Sequence, residues 1–145
     1  MQSEQSAAIL KQLKLKVTPR RQEVMNCLGA EQSYLSADEV WSRIKSRLGR
    51  IGLPTVYRIL DELAEAGVIT RIFLSDRKQY YFLCSNQGHH HHFVCLSCRK
   101  VADLPSCGIE ALEREVSQKI GGKVLSHILQ LNGLCGVCAA AGGSI

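Results

Sequence analysis

Apolar residues recur at helical spacing through the first half of the chain and then give way to alternation. Ala7–Leu13 reads as a first helix, running into the basic stretch Lys14-Leu15-Lys16-Val17. Thr18-Pro19 supplies an N-cap followed by proline at the first helical position. The helix it opens sets Val24, Met25 and Leu28 on one face and stops near Gly29, and Cys27 beside that face reads as packing. Ser36 and Glu39 form a capping box, each side chain satisfying the other's free backbone N–H. The helix that follows is predicted to bury Val40, Trp41, Ile44 and Leu48. In Pro54–Leu63, Val56, Ile59, Leu60 and Leu63 fall at i, i+3, i+4 and i+7, one apolar stripe that turns Thr55, Tyr57, Arg58 and Asp61 outward. Gly67 ends this helix, and Val68–Leu74 and Lys78–Leu83 flank a turn at Ser75–Lys78, a hairpin signal. Short helices followed by a hairpin predict a winged helix-turn-helix over residues 1–84.

Ser85-Asn86-Gln87-Gly88 is short and polar and reads as a hinge, residues 85–88. Beyond it, His92–Cys95 and Lys100–Leu104 look like strands on either side of a Cys-x-x-Cys turn. Gly108–Ile120 reads as a helix closed by Gly121-Gly122. Lys123–Leu131 alternates, with Leu125, His127, Leu129 and Leu131 on one face, and is predicted to be a strand. The whole is therefore expected to be α+β, with a second small α+β module over residues 89–145.

Composition narrows the class of partner. No apolar run in the 145 residues approaches the ~18 needed to span a membrane. The start Met-Gln-Ser-Glu-Gln-Ser lacks the basic and apolar stretches of a secretion signal, so a cytoplasmic location with reduced thiols is expected. Seven cysteines then read as metal ligands or core residues rather than disulfides. The net charge is +5, and residues 1–88 carry 13 Lys and Arg against 9 Asp and Glu. That excess on the first module suggests a polyanionic partner, most commonly nucleic acid.

Metal chemistry is concentrated in the second module. Cys95, Cys98, Cys135 and Cys138 form two Cys-x-x-Cys pairs separated by 36 residues. Four thiolates favour zinc and close its tetrahedral shell, leaving no open position for catalysis. His89-His90-His91-His92 is left over. In an extended strand successive side chains point to opposite faces, so His89 and His91 serve one side, His90 and His92 the other. Each pair needs partners. Cys84, across the hinge, can join His90 and His92; Glu110 and His127 can join His89 and His91. Cys107 stays ambiguous between a spare thiol and a residue of no chemical role.

Taken together, Lys14-Leu-Lys-Val-Thr-Pro-Arg-Arg, Leu35-Ser-Ala-Asp-Glu, Pro54-Thr-Val-Tyr-Arg and His89-His-His-His-Phe-Val-Cys-Leu-Ser-Cys resemble the ferric uptake regulator (Fur) family from about Ala7 to Cys138. The pattern looks most like its zinc uptake regulator (Zur) branch, because the histidine run lacks the aspartate usual in iron sensors and Cys84 replaces a carboxylate. The resemblance implies a homodimeric metal-sensing repressor with an N-terminal DNA-binding domain and a C-terminal dimerisation domain. It implies one structural zinc on Cys95, Cys98, Cys135 and Cys138, and one or two regulatory zinc ions per subunit. Of these, the first would use Cys84, His90 and His92 at the hinge, the second His89, His91, Glu110 and His127. Zinc sensors often add an aspartate at the start of the wing, where this chain has Thr70; iron sensors often place a histidine where it has Ser33-Tyr34. Thr55, Tyr57 and Arg58 are the expected DNA contacts on the recognition helix, with Lys16 toward a minor groove and Arg20 on phosphate.

The expected function is zinc-dependent repression of zinc uptake genes, through closure of a dimer on double-stranded palindromic operator DNA. Metal loading should weaken toward acid, as thiols and imidazoles hold their protons. An iron- or manganese-responsive repressor on the same scaffold is the first alternative. A zinc hydrolase is a remote one, since the chain has neither H-x-E nor H-E-x-x-H. Neither an enzyme with a small-molecule substrate nor a membrane partner is expected.

Overall fold

The computed structural model describes residues 3–145, which divide into a first unit ending at Ser85 and a second, Asn86–Ile145. In the first unit α1 (Ser3–Gln12), α2 (Pro19–Gly29), β1 (Leu35–Ser36), α3 (Ala37–Leu48) and α4 (Leu53–Glu65) precede the hairpin β2 (Ile69–Phe73) and β3 (Gln79–Leu83). α1 starts earlier than Ala7, burying Ser6 and Leu10. Local chemistry sets the next two helix starts: Thr18 Oγ1 accepts the Arg21 N–H at 3.3 Å, and Ser36 Oγ accepts that of Glu39 at 3.2 Å. Glu39 Oε2 answers by accepting the Ser36 N–H at 2.8 Å, completing the capping box. Gly67, with φ at +75°, takes the left-handed turn between α4 and β2.

The stripe Val56, Ile59, Leu60 and Leu63 is buried as α4's inner face, against Val24, Met25 and Leu28 of α2 and Val40 and Ile44 of α3. Trp41 and Leu48, expected to be buried, are only half so. The Trp41 indole donates to the Ile51 carbonyl at 2.8 Å and carries the Lys45 ammonium 4.4 Å from its ring centre, so its edge must reach solvent. The wing is antiparallel, Ile69 opposite Leu83 and Phe73 opposite Gln79. β1 adds a third strand, Leu35 opposite Tyr81.

The second unit contains β4 (His91–Cys95), β5 (Val101–Leu104), α5 (Glu110–Ile120), β6 (Gln130–Gly133) and α6 (Gly136–Ala140). The sheet order is β5-β4-β6: β5 runs antiparallel to β4, and β6 parallel to it after the crossover through α5. The strand expected over Lys123–Leu131 is corrected to Gln130–Gly133 alone; residues 121–129 have no regular structure. Alternation makes a strand only where an edge and an apolar layer receive it. Here β4 offers an edge to four residues, and Leu125 is left 88% exposed. α5 buries no residue at all.

Candidate metal centres and a basic helix face

Parallel pairing of β4 with β6 sets Cys95 opposite Gly133, and this register brings the two Cys-x-x-Cys turns together. The sulfurs of Cys95, Cys98, Cys135 and Cys138 lie within 4.8 Å of one another, Cys98 and Cys135 at 3.7 Å. A tetrahedral shell with Zn–S of about 2.3 Å has sulfur–sulfur edges of about 3.8 Å, so the donors fit that ion. The Cys135 N–H points at Cys95 Sγ at 3.3 Å. That amide, with the one of Cys98, brings the Cys95 thiol down to about 6. Cys135 is lowered too, first by the Cys138 amide. Cys138 is the proton-holding member: the Ser97 hydroxyl acts to lower it, but hydrogen bonding with Cys135, burial and the remaining sulfurs push it up to about 11. Thiolate character is thus favoured at Cys95 and Cys135, whereas Cys138 must give up its proton to bind a metal.

The histidine run divides into two pairs, although β4 begins only at His91 and His89 and His90 precede it. On one side His91 Nε2 lies 3.3 Å from His127 Nε2, and the His89 ring stands 4.9 Å from that of His127. The fourth member of this group is Cys107, whose Sγ is 3.2 Å from His127 Nε2. Cys107 was not among the donors expected for this group, whose fourth was Glu110. The chain turns at Gly108, φ +62°, leaving Cys107 half-buried beside the histidines and Glu110 exposed in the first turn of α5. There its charge suits the helix N-terminus. His91 is held below the ordinary histidine range by burial and then by His89, His127 and His90.

On the other side His90 Nε2 and His92 Nε2 are 3.1 Å apart, and Asp103 Oδ1 lies 3.5 Å from His92 Nε2. The register of β4 and β5, His92 opposite Asp103, makes that neighbour inevitable. Burial lowers His92, His90 lowers it further, and Asp103 pulls the other way. Neutral imidazoles are the form that binds metal. Cys84 directly follows β3 near the end of the first unit and is half-buried. Thr70, where a carboxylate was expected, pairs with Phe82 in the wing.

In the first unit, Arg20, Thr55 and Arg58 line one cleft with Thr18, Arg21, Ile59 and Glu62. Tyr57 and Arg58 are exposed, as the helix spacing predicted; Thr55 is half-buried, and Lys16 and Arg20 are exposed. Arg21, which nothing in the sequence distinguishes from Arg20, organises this face. Its Nε and Nη2 donate to Glu62 Oε2 at 3.3 and 2.6 Å, and its Nη1 to the Lys16 carbonyl at 2.8 Å. Asp61 turns out to serve the wing, accepting from Arg71 at 3.1 Å and from the Tyr81 hydroxyl at 3.3 Å. Burial and that carboxylate push Tyr81 up to about 12.

A family model described as the ferric uptake regulator family matches residues 12–132. The ferric uptake regulation protein of Escherichia coli K12 is 36% identical over 127 residues, 87% of this chain and 85% of that protein. Among solved structures, a zinc uptake regulator complexed with zinc and DNA superposes with a TM-score of 0.77 at 25% identity, over 97% of this chain and 94% of that one. The Vibrio cholerae ferric uptake regulator gives 0.60 at 35% identity, over 88% and 98%. Among the described residues no helix is long and apolar enough to cross a membrane.

Proposed function

The chain belongs to the ferric uptake regulator family, metal-responsive transcription regulators rather than enzymes, and on that premise we propose that it is a zinc-responsive repressor of zinc uptake genes. It binds palindromic operator DNA as a metal-loaded homodimer. The observation that carries this reading is the donor chemistry: the clusters are built from thiols and imidazoles with a single carboxylate, Asp103, and sulfur-rich sets suit zinc better than ferrous iron or manganese.

Cys95, Cys98, Cys135 and Cys138 hold the structural ion, which ties the second unit's two turns together. At the hinge Cys84, His90 and His92 hold a regulatory ion, with Asp103 as its fourth ligand in place of the aspartate that Thr70 replaces. The ion contributes charge and a fixed geometry. The protein contributes the equilibrium: only the arrangement that gathers Cys84 with the two histidines gains from binding, so zinc favours it. A second regulatory ion belongs beside His89, His91 and His127.

On the DNA side, α4 enters the major groove with Tyr57 on base edges and Arg58 on bases or phosphate, Thr55 beside them. Arg20 contacts phosphate, and Lys16 reaches a minor groove from the loop that Arg21 holds in place. A homodimer is supported by the second unit, where α5 buries nothing and Leu112, Ile120 and Ile128 are exposed.

An operator fragment titrated with zinc, ferrous iron and manganese after chelation tests the reading. Zinc should restore binding at the lowest free concentration, and Cys84→Ser should abolish the response while keeping the dimer and its structural zinc. Normal zinc-dependent binding by Cys84→Ser would sink the hinge assignment. An iron- or manganese-responsive repressor is the second reading. Asp103, a hard oxygen donor beside His92, favours it, and the same titration would then rank those metals above zinc.

A further inference from the structure

Cys107 sits in the connection between β5 and α5, outside both Cys-x-x-Cys pairs, and the thiol is half-buried among imidazoles rather than in an apolar core. Its Sγ is 3.2 Å from His127 Nε2, which is 3.3 Å from His91 Nε2, and the ligand atoms of His89, His91, Cys107 and His127 all lie within 4.8 Å of one another. Zn–N distances of about 2.0–2.1 Å and Zn–S of about 2.3 Å give a tetrahedral shell edges of about 3.3–3.6 Å between donors. The two contacts of His127, at 3.2 and 3.3 Å, fit edges of such a shell, and the other donors lie within 4.8 Å. The other candidate donor, Glu110, is exposed beyond the turn at Gly108.

We propose that Cys107 is a metal ligand, completing with His89, His91 and His127 a four-coordinate site of three imidazoles and one thiolate, and that this sulfur makes the site prefer zinc to ferrous iron and manganese. The proposal deepens the second regulatory site of the reading above and rests on it for the biological role alone. Four protein donors leave no open position, so the site fixes structure rather than activating water. The bond spans a useful distance in the chain. It ties the start of β4 and the irregular stretch around His127 to the connection leading into α5. Zinc binding at this site would therefore order a segment that the sheet does not pair.

Cobalt substitution tests it on the full chain with its structural zinc retained. In the Cys84→Ser background, which removes the hinge thiolate, added cobalt(II) should still give a thiolate-to-metal charge-transfer band in the near ultraviolet. Adding Cys107→Ser should abolish that band, and adding Glu110→Gln instead should leave it. The proposal is overturned if the Cys84→Ser protein shows no band, or if the band survives Cys107→Ser. Loss of a ligand's outer partner alone costs about 10–100-fold in affinity. Cys107→Ser should therefore weaken zinc binding at this site by at least about tenfold while barely changing that of manganese; an equal loss for both metals removes the selectivity claim. The unmutated chain provides a check free of folding artefacts. Mass-spectrometric mapping of alkylation should find Cys107 modified with structural zinc alone and protected once further zinc is added, whereas modification at equal rates speaks against ligation. None of these readouts involves DNA, so a chain that answered to iron in the operator titration would still show or lack the sulfur band independently.

Discussion

Among the described residues all but three of the buried apolar side chains, the exceptions being Val94, Cys95 and Val101, belong to the first unit, whereas Leu112, Ile120, Leu125, Ile128 and Val137 of the second are exposed. The two halves of one chain are thus stabilised by different physics. Helices α2, α3 and α4 converge on one apolar core and can exclude water by themselves. The second unit has a three-stranded sheet, a helix with no buried face and two donor groups lying wholly within it that draw distant segments together. A module so short of core needs a metal staple, a partner, or both. The division also matches the proposed labour: a self-sufficient reading head, and a sensing body whose integrity depends on what it senses.

Removing the staple should break the contrast most sharply. Cys135→Ser, or strong chelation, should unfold or loosen the second unit while α2 to α4 keep their helical signal and slow hydrogen exchange. Structural zinc is worth about 10–16 kcal/mol in small domains, so no residual core compensates. If exchange in β4 remains slow without metal, the second unit has a stability that its burial does not explain. The mirror experiment is Leu63→Ala, which cuts a fully buried side chain from α4 and should cost about 2–5 kcal/mol. Its denaturation midpoint should fall, and its zinc content should not.

Exposed apolar surface gives a third test. Ile120→Asp adds a charge to a residue that is 78% exposed within one chain and is buried between subunits if the second unit dimerises as proposed. Sedimentation should show dimerisation weakened by about 2 kcal/mol or more with zinc unchanged, and an unaffected dimer would place the interface elsewhere. The smallest effect expected is that of Ser36→Ala, which removes one half of the capping box. It should lower the first unit's stability by about 1 kcal/mol and leave the metal response intact.

Features written in a few consecutive residues were legible from sequence: the caps at Thr18 and Ser36, the stripe of α4, the Cys-x-x-Cys turns and the two-sided histidine run. Features decided by a distant strand were not. β1 has two residues, too few to alternate, and exists only because Tyr80 and Tyr81 pair with it. Asp103 becomes a neighbour of His92 only through the β4–β5 register. Cys107 stands beside the histidines through the connection that turns at Gly108, and no spacing in the sequence singles it out. The alternation of Lys123–Leu131 misled for a related reason: periodicity describes what a segment can pair with, and here only its last two residues found an edge.

One strand, β4, carries His91 on one face, His92 on the other and Cys95 at its end. On the proposed assignment this arrangement implies an order of filling. Zinc at the four cysteines fixes the strand, and with it the direction of both histidines, before either regulatory site can gain much by closing. The rotational freedom those imidazoles would otherwise lose is already gone, so later ions meet a prepared geometry. Scarce zinc then goes into building the sensor, and only the surplus is measured.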